Sequence, residues 1–127
     1  MERKLRFQFN SRHFYRAYVE VLKPFLKDIT SREADVFSEL LYYNWVKRDI
    51  PNIKDRFKII LDGDIRKEIT SYLKISDAIF RNCLSKLRKR ELLKEDGTIA
   101  DVYLVIPTKG KFTITFEFNV NDNGKSL

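Results

Sequence analysis

The chain has 127 residues, 43% of them apolar, including ten Phe, six Tyr and one Trp, with four Gly, three Pro and a formal net charge of +7. That length suits one domain with its own core, and the few Gly and Pro argue against a long disordered or low-complexity chain. One cysteine, Cys83, excludes an internal disulfide and fits a reducing compartment. There is no run of 18 apolar residues, and MERKLRFQFN lacks the apolar centre of a signal peptide, so the expectation is a cytoplasmic protein with no membrane partner.

In chain order, Leu5, Phe7 and Phe9 alternate with Lys4, Arg6 and Gln8, the period of a half-buried strand. Ser11 is placed to cap a helix whose apolar residues Phe14, Tyr18, Val21, Leu22, Phe25 and Leu26 follow helical spacing, and Pro24 is expected to kink or end that helix. Thr30 and Glu33 have the spacing of a capping box. Behind them Ala34, Phe37, Leu41 and Trp45 form an apolar stripe that Leu40 widens, which predicts a helix ending near Lys47 and Arg48. Pro51 marks the connection IPNIKD as a break.

FKIIL at 57–61, short and partly β-branched, reads as a strand. The next helix has Asp62 or Asp64 as its cap and Ile65, Ile69 and Leu73 at four-residue spacing. Lys74-Ile75-Ser76 is a tight link, with Ser76 placed to cap a further helix. In that helix Phe80, Leu84 and Leu87, with Cys83 beside them, make one inward stripe. LLKEDGTIADVYLVIP then suggests a hairpin turning at Asp96-Gly97, and TKGK at 108–111 a second turn. Phe112, Ile114, Phe116, Phe118 and Val120 alternate with polar residues as in a strand with one buried face, and 121–127 is a polar tail.

Function centres on 76–90. From Lys74 to Lys94 there are seven basic residues against Asp77 and Glu91, which is five of the seven net positive charges. Part of this has a bland cause, because basic residues at a helix C-terminus are stabilised by the helix dipole without any ligand. Arg81, Asn82, Ser85 and Lys86 fall off the apolar stripe and are residue types that pair with base edges, while Lys74, Lys89 and Arg90 suit phosphates. Lys109 and Lys111 in the second turn are further phosphate candidates, although a solvated turn explains them better.

A helix, a three-residue link and a longer basic helix running into a hairpin is the order of a winged helix-turn-helix. In KIILDGDIRKEITSYLKISDAIFRNCLSKLRKRELLKEDG the apolar positions Ile69, Leu73, Ile75, Phe80, Leu84, Leu87, Leu92 and Leu93, with Ser76 at the turn, resemble the MarR-like winged-helix regulators of bacteria and phages. Tyr103, Pro107, Lys109 and Gly110 are more weakly similar to winged-helix plasmid replication initiators, which carry Asn where this chain has Ile106. The resemblance covers 57–107. It implies an α+β fold: a single winged-helix domain over 1–127 with four helices, a C-terminal β-hairpin wing at 93–106 and an extra strand within 108–120. It also implies a recognition helix at 76–90 in a DNA major groove, a homodimer, and the host cytoplasm if the protein is phage-encoded.

Two features depart from that pattern. Glu91 stands where such domains usually carry Gly, and the wing tip Glu95-Asp96 is acidic and would repel phosphates. The expected DNA-contacting set is therefore Lys74, Ser76, Arg81, Asn82, Ser85, Lys86, Lys89, Arg90, Lys109 and Lys111. About five phosphate contacts would give a log–log salt slope of roughly −4 to −5. The competing expectations are a protein-interaction module, such as a phage structural or assembly component or a polymerase accessory factor joined through the apolar terminal strands, and a replication initiator. One His and one Cys do not make an ordinary zinc site, and a cation site at Asp55, Asp62 and Asp64 is less expected than helix-start acids. With no phosphate-cradling Gly loop and no nucleophile elbow, neither an enzyme nor a cofactor is expected.

Overall fold

A computed structural model describes residues 10–26, 28–105, 112–115 and 117–120. Among them are five α-helices: α1 (Ser11–Leu22), α2 (Ser31–Val46), α3 (Ile53–Ile60), α4 (Gly63–Leu73) and α5 (Asp77–Lys89). The proposed strand at 5–9 and the turn at 108–111 lie outside the described residues.

α2 is the axis of the fold, and the other four helices all pack on it. Thr30 starts it, its Oγ1 accepting from the Glu33 N–H (3.1 Å) and donating to the Glu33 carboxylate (2.7 Å). Ala34, Val36, Phe37, Leu40 and Leu41 are buried, so the helix is covered on more than one face. Asn10, not Ser11, caps α1 through a bond from His13 N–H. The buried face of α1 is Tyr15, Tyr18 and Val19, and Val21 and Phe25, placed on the apolar stripe by spacing, are exposed. Pro24 acts as expected, since α1 stops at Leu22 and a single 3₁₀ turn follows over Lys23–Phe25.

The expected strand at 57–61 is instead the second half of α3. Asn52 caps that helix, its Oδ1 accepting from the N–H groups of Lys54 and Asp55. Ile53, Phe57 and Ile60 then face the core at helical spacing, and Ile59, which an alternating strand would place on the same face as Phe57, is exposed. Arg56 ties the preceding loop back, donating to the Ile50 carbonyl (2.7 Å) and to Asn44 Oδ1 (2.8 Å).

The α+β expectation fails at the C-terminal side, where the described residues contain no strand. In place of a β-hairpin wing there is one antiparallel bridge between Leu93 and Ile99. It closes around a turn in which Gly97 has φ +87°. Pairing stops there because the chain coils into a 3₁₀ turn over Asp101–Tyr103. The carbonyls that a second strand would use are taken by α1: Tyr15 Oη donates to Val105 O (2.8 Å) and Tyr18 Oη to Tyr103 O (3.3 Å). Tyr103 also packs edge-on against Phe37. The extra strand is not present either, since the described residues of 112–120 carry no strand. Phe112 packs edge-on against Phe14 and Tyr18, while Ile114, Phe118 and Val120 are exposed.

Candidate nucleic-acid interface

The α4–α5 unit is built as the spacing indicates. Asp62 caps α4, and Ile65 and Ile69 anchor it. Its end is a left-handed cap at Lys74 (φ +56°), with Ile75 N–H reaching back to the Thr70 carbonyl (3.0 Å). Two residues later Ser76 Oγ accepts from Ile79 N–H (3.1 Å) and starts α5. Phe80, Cys83, Leu84 and Leu87 are buried against the core, and burial raises the Cys83 thiol above its ordinary range.

At 3.6 residues per turn, Ala78, Asn82, Ser85 and Lys89 form the ridge opposite that apolar stripe. Arg81 and Arg88 flank one side of the ridge and Lys86 the other, and all seven residues are exposed. On the Lys86 side, Asn82, Ile79 and Cys83 share an open groove with Thr30, Arg32 and Glu33 at the start of α2. Arg32 is thus a cation beside the ridge that local patterning did not single out.

Arg90 behaves differently from its neighbours. It turns inward, donating from Nε to Glu33 Oε1 (2.7 Å) and from Nη2 to the Asp28 carbonyl (2.7 Å). Burial alone would raise Glu33, but hydrogen bonds from Thr30 and Arg90 outweigh it and hold the carboxyl below the usual range. Arg90 is therefore a structural tie between α5 and α2. The other expected site residues divide in two: Lys74, Ser76, Arg81, Asn82, Ser85, Lys86 and Lys89 share the α5 side of the fold, whereas Lys109 and Lys111 lie outside the described residues.

A second ionic contact joins α4 to α5. Arg66 Nε donates to Asp77 Oδ1 (2.6 Å), and its guanidinium also lies over the Phe80 ring. The other oxygen, Asp77 Oδ2, is 3.3 Å from Arg81 Nε. The Arg66 hydrogen bond holds the Asp77 carboxyl below its ordinary range, with the charges of Arg66 and Arg81 acting in the same direction.

The turn at 95–97 contributes no cation. Asp96 Oδ1 accepts from Thr98 N–H and Thr98 Oγ1, which hold its carboxyl below the ordinary range, and Lys94 is paired with Asp101 (2.9 Å). At the Glu91 position the backbone is left-handed (φ +62°), the conformation for which Gly is favoured after a helix. Leu92 N–H closes that cap onto the Leu87 carbonyl (3.0 Å). Among the described residues no three His, Cys, Asp or Glu side chains gather to hold a metal ion, and no helix is long and apolar enough to cross a membrane.

No protein-family model matches the chain, and neither curated proteins nor solved structures include a significant match to it.

Proposed function

We propose that the chain binds double-stranded DNA by laying α5 in the major groove, as a regulator of the bacterial or phage type. The observation that carries this reading is the outer ridge of α5. It is a row of short or polar side chains, Ala78, Asn82, Ser85 and Lys89, flanked by Arg81, Arg88 and Lys86 and held outward by the buried stripe beneath. Thirteen residues give a rod of about 20 Å, and a helix fits a major groove about 12 Å wide. Asn82 suits an adenine edge, Arg81 suits guanine, and Ser85 accepts several bases. Lys86, grouped with the base-reading residues by spacing, flanks the ridge and, with Lys89 and with Lys74 at the turn, suits phosphates instead, where such contacts set register without reading sequence.

The helix-turn-helix part of the sequence resemblance supports this reading. The acidic turn at 95–97 gives no phosphate clamp, so the contact depends on α5 itself. With Arg90 engaged by Glu33, Lys74, Lys86, Arg88 and Lys89 leave about four phosphate contacts, for a salt slope of roughly −3 to −4.

Selection of bound duplexes from a random-core pool at two salt concentrations tests the proposal. Enrichment of a defined sequence, with retention falling steeply at the higher salt, is expected. A palindrome in the enriched set would also report a homodimer. No retention of duplex at low salt overturns the reading. The exposed apolar residues Ile114, Phe118 and Val120 favour a second reading, a protein-interaction module. A protein partner captured equally well after nuclease treatment, with no duplex bound, would support that reading instead.

A further inference from the structure

We infer, resting on the DNA-binding reading, that Asp77 is a positioning residue that presets Arg81 to read guanine. Arg81 is a long, 67% exposed side chain, and such a group on an open helix face samples many rotamers. Asp77 lies one turn earlier and approaches Arg81 at Nε (3.3 Å), whereas the end-on edge of a guanidinium is formed by its two terminal nitrogens. Among the described residues no partner holds those two nitrogens. They are the pair that can donate end-on to guanine O6 and N7.

Asp77 is itself fixed from the other side. Arg66 on α4, with its side chain only 24% exposed, grips the second carboxylate oxygen at 2.6 Å. The order Arg66, Asp77, Arg81 is thus a rigid element, then a carboxylate, then a reading group. A simple solvated i,i+4 pair would not need the first member. The carboxylate also has a selective effect, because a negative charge near the groove disfavours Arg81 sliding onto a phosphate beside it. Asp77 therefore contributes to which base is chosen more than to how tightly DNA is held.

Base-preference profiles from random-core duplexes, taken for the wild type, Arg81→Ala, Asp77→Asn and Lys89→Ala, test this. Arg81→Ala is expected to flatten a guanine preference at one position by about tenfold. Asp77→Asn should weaken the preference at that same position several-fold while binding a scrambled duplex as well as the wild type or better. Combining Asp77→Asn with Arg81→Ala should flatten the profile no further than Arg81→Ala alone. Asp77→Glu keeps a carboxylate within reach and should restore most of the preference. Lys89→Ala should lower affinity for all duplexes alike. A loss of folding would reduce all binding together, and so would not mimic a change confined to one position. If Asp77→Asn leaves untouched the preference that Arg81→Ala removes, or if Arg81→Ala removes none, the positioning role is wrong and the DNA reading stands. If the wild type retains no duplex, both are wrong.

Discussion

The carboxylate–arginine pairs at α2 and the pair at the α4–α5 junction are built from the same groups in opposite surroundings. On α2, Glu39 is 1% exposed and takes two hydrogen bonds from Arg12, while Glu33, 2% exposed, is held by Arg90. Arg12 is further enclosed by the Tyr42, Tyr43 and Tyr72 rings, and Tyr43 Oη passes the network on to Glu68 (2.9 Å). At the junction the Asp77 side chain is 58% exposed. Burial makes the first set obligatory, since a stranded charge there has no water to turn to, whereas solvent makes the second set adjustable. The molecule thus keeps its fixed ionic ties in the core and its exchangeable cations on the outer side of α5.

The most severe way to break this contrast is Arg12→Ala, which strands Glu39 and should cost about 3 kcal/mol in urea denaturation. Arg66→Ala should cost a small fraction of that, and equal losses would show that burial is not the deciding factor. The two α2 carboxylates should also differ in sign with pH. Glu33 is held below the ordinary range, so its contribution is complete above the unfolded value and is lost as pH falls through the folded one. Glu39 is pushed up by burial, which outweighs Arg12, so its contribution is present below the unfolded value and lost as pH rises through the folded one. Urea midpoints of Glu33→Gln and Glu39→Gln against the wild type across the acid range should therefore diverge. Parallel curves would contradict the assignment.

A smaller effect should come from the cap after α5. Glu91→Gly relieves a left-handed side chain and should raise stability by about 1 kcal/mol in thermal melts. A decrease would mean that Glu91 makes a contact worth more than its strain. Smallest of all, Lys94→Ala removes a solvent-exposed pair with Asp101 and should change stability by less than about 0.5 kcal/mol.

Elements whose signal is local were legible in the sequence. The Thr30 and Ser76 caps, the stop at Pro24, and the buried faces of α2 and α5 all depend on residues within two turns of one another. α3 is not legible in the five-residue window FKIIL, which contains the β-branched pair Ile59–Ile60 but omits Ile53, the residue that completes the helical spacing Ile53, Phe57 and Ile60. The wing and extra strand fail for a different reason. Alternation along a chain shows that a strand could bury one face, but not that a partner backbone lies beside it. Here the tyrosines of α1, some 85 to 90 residues away, take the carbonyls instead. The same limit governs the site. Asn82, Ser85 and Lys89 could be placed outward from spacing alone, whereas nothing near Arg90 signals that Glu33, 57 residues earlier, draws it inward.

The salt dependence of duplex binding by the wild type and by Lys86→Ala/Lys89→Ala, at matched thermal stability, tests the central claim most directly. The wild type should give a log–log slope of roughly −3 to −4, and the variant a slope shallower by about 2. Equal slopes and affinities for the two proteins, or a wild type that binds no duplex at low salt, would contradict the claim that the outer face of α5 is a DNA-binding surface.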